Sequence, residues 1–341
     1  MTPIRLSICM PTYNFGRFIG DALESILRQA ADDVEIVVLD GASTDNTSEV
    51  VRSFQARFPK LHYHRRDRRG GIDRDMAHAV ELANGEYCWL FSSDDIMREG
   101  ALGDVLEKIT LGCDLYLCGL TLCTFDMQPI RQHRILRLRC DAEFDLANEQ
   151  DRLRYFQLAE TTAAFFSFMG SLIIRKSRWD AIPFSEAFDG TLWAHVARIF
   201  AMIPQGLRLK YLSQSYLYKR GDNDSFMDKG PGHRYKLAFE GYDRLADAFF
   251  PRGSIEANAI RRAVRDELSI RALLNFKLED TRVNKDDILL LDRLAAAVYR
   301  ERSPISRALF LMYKMTPLPL ARAASVVYRA LKPRLRTRES A

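Results

Sequence analysis

Leu6-Ser-Ile-Cys-Met10, a short apolar run, passes directly into Pro11-Thr-Tyr-Asn14. The same arrangement returns twice within the first 95 residues. Glu35-Ile-Val-Val-Leu-Asp40 runs into Gly41-Ala-Ser-Thr-Asp-Asn-Thr47, and Tyr87-Cys-Trp-Leu-Phe91 runs into Ser92-Ser-Asp-Asp95. Short apolar runs that alternate with stretches of helical period are the mark of βαβ units and a mostly parallel sheet. In such a sheet ligands sit outside the carboxyl ends of the strands, so three ends gathering Asp, Ser, Thr and Asn describe one polar crevice.

Working outward, Phe18, Ile19, Ala22, Leu23, Ile26 and Leu27 form one apolar face of a helix after the first run. Ser43 or Thr44 is placed to cap a second helix that carries Val50, Val51 and Phe54 and ends near Phe58. A third strand is expected over 61–64 and a third helix over 72–83, after which Asn84-Gly85 returns the chain to the strand ending at Ser92. Further on, the pattern predicts helices near 101–109 and 192–202 and strands over 115–123, 171–175 and 207–218. Beyond Pro231 it predicts helices over about 233–250, 254–277 and 286–301. The expectation is an α/β domain over residues 1–228 and a helical C-terminal region over 229–341.

The chain has 341 residues, almost half of them apolar, and a net charge of +5. That charge is uneven: residues 60–74 are rich in Arg, and the last forty carry many Arg and Lys with few acids. Such patches favour anionic partners, nucleotide phosphates or an acidic membrane surface, and a polynucleotide is not expected. The six cysteines form no C-x-x-C pair and several lie in apolar runs, which reads as reduced core thiols in a cytosolic protein. No signal peptide is read at the start, and no run reaches the roughly 18 to 20 apolar residues that span a bilayer. Residues 305–331 mix apolar and basic side chains and are interrupted at Pro317 and Pro319. Two readings stand there: basic amphipathic helices on a membrane surface, or a helical hairpin packed on protein.

Taken together, Met10-Pro-Thr-Tyr-Asn14, Asp40-Gly-Ala-Ser-Thr-Asp-Asn-Thr47, Ala83-Asn-Gly-Glu-Tyr87 and Ser92-Ser-Asp-Asp95 resemble, in order and spacing, the family 2 glycosyltransferases. The resemblance covers about residues 4–225 and is loose in its later part. It implies the GT-A fold, α/β and Rossmann-like with a mostly parallel sheet, here followed by a C-terminal helical extension. It also implies transfer of a sugar from a nucleotide diphosphate donor to an acceptor hydroxyl, by single displacement with inversion. Within the family, the run from Ala83 to Asp95 is most similar to the abequosyltransferase-type enzymes of O-antigen synthesis. Those imply a deoxyhexose donor, a polyprenyl-linked glycan acceptor and work at the cytoplasmic face of the inner membrane.

The resemblance assigns roles residue by residue. Asp40, with Pro11, Thr12, Tyr13 and Asn14 beside it, would hold nucleobase or ribose; Ser43, Asp45 and Ser93 belong to the same pocket. Turn and cap chemistry is the competing account of Asp40 and Asp45. Asp94 and Asp95 would hold Mg²⁺ or Mn²⁺ bridging the donor phosphates. Ser92 stands where the family has its first acid, and capping of a helix near Gly100 is the alternative. In Gly70-Gly-Ile-Asp-Arg-Asp-Met76, Arg74 would meet phosphate and Asp73 or Asp75 would order the donor sugar, unless the three form a solvated first turn. Ala77 replaces the family's Asn there.

For the base that takes the acceptor proton, the matching place is Ser185-Glu-Ala-Phe-Asp189, which singles out Asp189 with Glu186 as runner-up. His195, on the helix that follows, either assists or is simply packed. Tyr218-Lys-Arg-Gly-Asp-Asn-Asp-Ser225 resembles the family's loop over the diphosphate, so Lys219 or Arg220 would neutralise the leaving group, although Asp222 stands in place of the usual His. A plain surface turn is the alternative. Two other functions fit parts of the pattern: a nucleotidyltransferase, and a sugar-nucleotide-binding subunit that has lost catalysis. No G-x-G-x-x-G follows the first strand, which argues against a dinucleotide oxidoreductase.

Overall fold

The computed structural model describes residues 2–223, 231–270, 272–274, 285–299 and 303–315. The chain opens with β1 (Leu6–Thr12), α1 (Gly16–Leu27), β2 (Val34–Asp40), α2 (Thr47–Gln55), β3 (Leu61–Arg65), α3 (Ile72–Glu81) and β4 (Tyr87–Leu90). It continues with β5 (Ile96–Met97), α4 (Ala101–Lys108), β6 (Leu115–Cys123), β7 (Pro129–Gln132), β8 (Ala142–Asp145) and α5 (Glu149–Leu158). Then come β9 (Leu172–Arg175), α6 (Lys176–Asp180), α7 (Ala194–Met202) and β10 (Arg208–Lys219). Helices α8 (Pro231–Phe249), α9 (Ile255–Glu267), α10 (Lys285–Tyr299) and α11 (Pro304–Met315) follow.

One sheet holds the strands in the order β3-β2-β1-β4-β9-β6-β10-β5, with β7 on β6 and β8 on β10. The first half is parallel: β1 pairs with β2 and β4, and β2 pairs with β3. Every residue of β1, β2 and β4 is buried, which is why these strands read as unbroken apolar runs rather than as alternating ones. In the second half β9 runs against both β4 and β6, and β10 returns parallel to β6. Contacts divide the chain into two compact units, one comprising residues up to Asn223 with Leu245–Ile260, the other the remainder.

A buried polar knot fixes the register at the opposite end of the sheet from the crevice. Glu35, 2% exposed, accepts hydrogen bonds from the Ser7 hydroxyl at 2.6 Å and from the Asn84 amide at 2.6 Å. Ser7 in turn accepts from the Gly85 amide at 2.8 Å. The Asn84-Gly85 return is therefore set by contact: a Cβ on Gly85 would stand 2.5 Å from Ser7 Oγ and 2.7 Å from Ser7 N.

Several expectations are corrected. Neither Ser43 nor Thr44 caps α2, which starts at Thr47 and ends at Gln55; Ser43 is occupied by the β1 loop instead. The helix expected over 254–277 stops at Glu267, and the Ser269 hydroxyl accepts from the Ala272 amide at 3.2 Å, a cap that starts a new turn. Its last residues, 275–277, and the tail beyond Met315 lie outside the described residues. Helix α5 went unread because only Tyr155 and Phe156 in it are buried, too few to mark an apolar stripe; Asn148 caps it by accepting from the Asp151 amide. Five cysteines are core thiols as read, but Cys140 is exposed.

Gly85→Ala is expected to cost about 1–3 kcal/mol, the range for overpacking a filled site, because backbone and a bonded hydroxyl both stand in the way of the methyl. Urea unfolding of the two proteins, compared at equal slope, checks this.

Candidate active site

The carboxyl ends of β2, β1 and β4 lie side by side, with Thr12 opposite Asp40 and Cys9 opposite Leu90. Asp40 is fully buried at the end of β2. Its Oδ1 accepts from the Ser43 amide at 2.7 Å and its Oδ2 from the Tyr63 hydroxyl at 2.5 Å, while the Arg65 guanidinium stands 3.8 Å away. Tyr63 and Arg65 were not singled out from the sequence. The signal available was the alternation of His62, Tyr63, His64 and Arg65, which puts Tyr63 and Arg65 on one face of β3, with Arg65 in register with Asp40.

Asn14 links β1 to this turn. It adopts a left-handed backbone with φ of 57°, its amide donates to Ser43 Oγ at 2.8 Å, and its Oδ1 accepts from the Thr44 amide at 2.7 Å. Asp45 is used structurally: it accepts from Thr47 N and Oγ1 and from Gly16 N, so one carboxylate serves the first turns of α1 and α2. Partial burial pushes the Asp45 carboxyl up, but these hydrogen bonds outweigh it and hold the group below its usual range. Pro11 O accepts from the buried Ser93 hydroxyl at 2.8 Å, which ties β1 to the segment after β4. Thr12 Oγ1 is buried with no hydrogen-bond partner. Tyr13 lies beneath the Arg69 guanidinium, 4.2 Å from the ring centroid.

The acidic pair after β4 is buried, Asp94 at 8% and Asp95 at 2% exposure. Neither caps α4, whose N-terminal residue Gly100 has no side-chain cap. Asp94 Oδ1 accepts from the Ser92 hydroxyl at 2.5 Å and Oδ2 from Asn223 Nδ2 at 2.8 Å. Asp95 Oδ1 accepts from the Arg220 amide at 2.9 Å, whereas Oδ2 is buried with no hydrogen-bond partner. Burial first, then the neighbouring Asp94 charge, hold the Asp95 carboxyl well above its ordinary range. Arg220 does not sit in a surface turn. It is 6% exposed, donates to Asp94 O at 3.0 Å and Phe125 O at 2.6 Å, and lies 4.8 Å from the Phe18 ring centroid.

The first turn of α3 is not solvated either. Asp73 and Asp75 are buried, and burial raises both carboxyls above their usual range. Asp73 accepts from the Leu192 and Ala194 amides at 2.9 and 3.2 Å, holding the entry to α7. Asp75 pairs with Arg66 at 2.7 Å and lies against the Asp40 turn, where a Cβ on Gly41 would meet its Oδ2 at 2.6 Å. Arg74 reaches the other way: Nε donates to Asp189 Oδ2 at 2.8 Å and Nη2 to Glu186 Oε2 at 2.6 Å. The expected base, its runner-up and the expected phosphate ligand thus form one cluster. His195 stands apart from it, buried, with Nε2 2.9 Å from Phe166 O; burial pushes its pKa down to about 4, so it is a packed neutral histidine.

Two strand ends with buried carboxylates on either side of the polar end of β1, one buried arginine closing on an acidic pair, and a carboxylate reached from α3 make a site that can hold a polar, charged ligand next to a basic oxygen. Comparison with known proteins identifies the framework. The profile of Glycosyl transferase family 2 matches residues 7–180. The abequosyltransferase RfbV of Salmonella typhimurium is 36% identical over 251 residues, 72% of this chain and 75% of that one. A GalNAc(5)-diNAcBac-PP-undecaprenol beta-1,3-glucosyltransferase of Campylobacter jejuni is 26% identical over 196 residues, 56% of this chain and 59% of that one. S. aureus TarS (1-349) in complex with UDP-GlcNAc shares the fold, with a TM-score of 0.59 at 18% identity over 96% of this chain and 92% of that one. The chain belongs to glycosyl transferase family 2, and it is a glycosyltransferase with the GT-A α/β fold.

Proposed function

We propose that the enzyme moves a sugar of the deoxyhexose class from a nucleoside diphosphate donor to a hydroxyl of a lipid-linked glycan, in assembly of an O-antigen-type surface polysaccharide. Similarity to an abequosyltransferase supports the sugar class, and similarity to an enzyme acting on a PP-undecaprenol-linked glycan supports the carrier. The observation that carries the reading is the closure of buried Arg220 on the Asp94-Asp95 pair, with the end of β1 between that pair and Asp40 at the end of β2.

Asp40, held by Tyr63 and Ser43, accepts from the nucleobase or ribose, with Pro11 to Asn14, Ser43, Asp45 and Ser93 as the surrounding wall. Arg220 neutralises charge on the departing nucleoside diphosphate. Asp73, Arg74 and Asp75 shape the donor side. The acceptor oxygen bonds to the anomeric carbon as the bond from that carbon to the phosphate oxygen breaks. Its electron pair leaves with the nucleotide, and the hydroxyl proton passes to Asp189. Arg74 occupies Asp189 Oδ2, which leaves Oδ1 for the proton. A single displacement of this kind inverts the anomeric centre.

Mg²⁺ or Mn²⁺ fits at Asp94 and Asp95. Two adjacent carboxylates with one buried, unpartnered oxygen are hard ligands short of a cation. Among the described residues no group of three or more His, Cys, Asp or Glu stands ready for a metal, so donor phosphates and water would complete the shell. When bound, the cation supplies charge neutralisation at the diphosphate.

Work at the cytoplasmic face of the inner membrane, by peripheral contact, is part of the proposal. Among the described residues no helix is long and apolar enough to cross a membrane. On α11, Ile305, Leu311, Met312 and Met315 are exposed, and Arg307 and Lys314 share the surface of the same helix.

Asp189→Asn is expected to lower transfer by roughly 10²–10⁴-fold, the usual share of a positioned base, while leaving nucleotide binding intact. Thermal shift with UDP, GDP, CDP and dTDP, with and without Mn²⁺, alongside a transfer assay, checks both halves; wild-type turnover removes Asp189 as the base. For Asp95 the sign is fixed by its raised pKa. The folded state binds the proton more tightly than the unfolded state, so stability falls as pH rises from about 4 through the folded-state pKa. Asp95→Asn is therefore expected to stabilise the metal-free protein at pH 7 by about 1–3 kcal/mol, with the gain vanishing below about pH 4. The same variant loses the extra stabilisation that Mn²⁺ gives with nucleotide. A neutral or destabilising effect at pH 7 overturns the reading of Asp95 as a buried carboxyl short of a partner.

A further inference from the structure

Phe18 belongs by its spacing to the apolar face of α1, yet it is not among the residues that the helix buries in the core, and its side chain is half-buried. It faces Arg220 instead, whose guanidinium carbon lies 4.8 Å from the Phe18 ring centroid. Phe125, in the turn after β6, meets Phe18 edge-on, with centroids 5.8 Å apart and ring planes at 88°. The exposed Arg17 guanidinium lies 5.4 and 5.2 Å from the two centroids, so this aromatic pair carries one cation from α1 and another from the end of β10. The turn that presents Phe125 is closed by its own backbone: Thr124 N donates to Gln128 O at 2.9 Å and Met127 N to Thr124 O at 3.0 Å. The chain after Arg220 lies against the base of that turn, where a Cβ on Gly221 would meet Cys123 O at 2.5 Å.

Arg220 is therefore held by groups that carry no net charge. Its Nε donates to Asp94 O at 3.0 Å, its Nη1 donates to Phe125 O at 2.6 Å, and the Phe18 ring lies against the guanidinium. Among the described residues no carboxylate forms an ion pair with it, and its Nη2 makes no hydrogen bond and is not sealed from solvent. A guanidinium is planar, so two carbonyls and one ring fix its orientation and leave the Nη2 edge to meet a ligand.

We propose that Phe18 is a positioning residue for the leaving group: with the carbonyls of Asp94 and Phe125 it fixes the plane of Arg220 so that Nη2 meets the distal phosphate of the nucleoside diphosphate. The proposal rests on the reading above that Arg220 faces the diphosphate. A ring face attracts a cation more strongly as water is removed, and Arg220 is 6% exposed. An aliphatic side chain at position 18 fills the space but offers no negative face. Its effect falls on the distal phosphate and not on the nucleoside, because Asp40 lies on the far side of β1 from the Asp94-Asp95 pair.

The test compares dissociation constants of matched nucleoside diphosphates and monophosphates, from the uridine, guanosine, cytidine and thymidine series, with Mn²⁺, on the full chain. The proteins are wild type, Phe18→Leu, Phe18→Tyr, Arg220→Met and the double variant Phe18→Leu with Arg220→Met. The readout is the preference for diphosphate over monophosphate, since a general loss of structure weakens both alike and leaves their ratio unmoved. The expected result is a preference reduced about 3- to 30-fold in Phe18→Leu, retained in Phe18→Tyr, and not reduced further by Phe18→Leu once Arg220 is Met. Should Phe18→Leu fail to fold, Phe18→Met is read in its place with the same expectation. An unchanged ratio in the aliphatic variant, or an equal further loss in the Arg220→Met background, overturns the positioning and leaves Arg220 as a phosphate ligand. A wild-type ratio in Arg220→Met itself overturns the reading of Arg220, and the positioning falls with it. Absence of binding by all four diphosphates overturns both.

Discussion

Six carboxylates are taken out of water within the first 95 residues: Glu35, Asp40, Asp73, Asp75, Asp94 and Asp95. An unanswered buried charge costs several kcal/mol, so each must be met by donors, and for most of the six at least one donor comes from a distant part of the chain. Ser7 and Asn84 answer Glu35, Tyr63 and Ser43 answer Asp40, the Leu192 and Ala194 amides answer Asp73, and Arg66 answers Asp75. Ser92 and Asn223 answer Asp94, and the Arg220 amide answers one oxygen of Asp95. Unpaired buried charge therefore dictates which distant segments meet. It draws the entry to α7 onto α3 and the end of β10 onto the end of β4.

The same constraint organises the chemistry. Because Asp73 fixes Leu192 and Ala194 while the adjacent Arg74 holds Asp189 and Glu186, one turn of α3 positions the whole segment that carries the candidate base. On the other side of that turn Asp75 presses on Gly41, next to Asp40. The Asp40 turn and the segment that carries Asp189 are then coupled through three consecutive residues, Asp73, Arg74 and Asp75. A shift of this turn moves both.

Much of this was legible in the sequence, and the reason is periodicity. Strands buried on both faces leave continuous apolar runs, and the polar residues that follow them fall at strand ends by geometry alone, so Asp40 and Asp94-Asp95 were found at once. What stayed hidden depends on contacts between segments far apart in the chain. Nothing local shows that Asp73 and Asp75 are buried, since acids in a first helical turn are favoured on the surface as well. Tyr63, Asn223 and the Ser7-Glu35-Gly85 knot carry no motif and become visible only when β3, β10 and the turn before β4 are placed. Ser43 and Thr44 looked like caps because the residue types suit both tasks; the loop after β1 took Ser43 first.

The arginine run at 65–69 follows from where β3 stands. As the last strand on its side of the sheet, β3 has an open edge, and an open edge invites pairing with another chain unless charge or shape prevents it. Exposed His62, His64 and Arg65 supply that protection along the strand. Protection alone, however, needs charges pointing into solvent, not arginines gathered around a concavity with Tyr63 at its wall and two of their neighbours already paired. Five guanidiniums within ten residues repel one another, and here internal carboxylates compensate Arg65, Arg66 and Arg74, while Arg68 and Arg69 make no ion pair among the described residues. Positive charge retained in a concave wall next to Asp40, where the field is focused rather than screened, raises the local concentration of an anionic ligand.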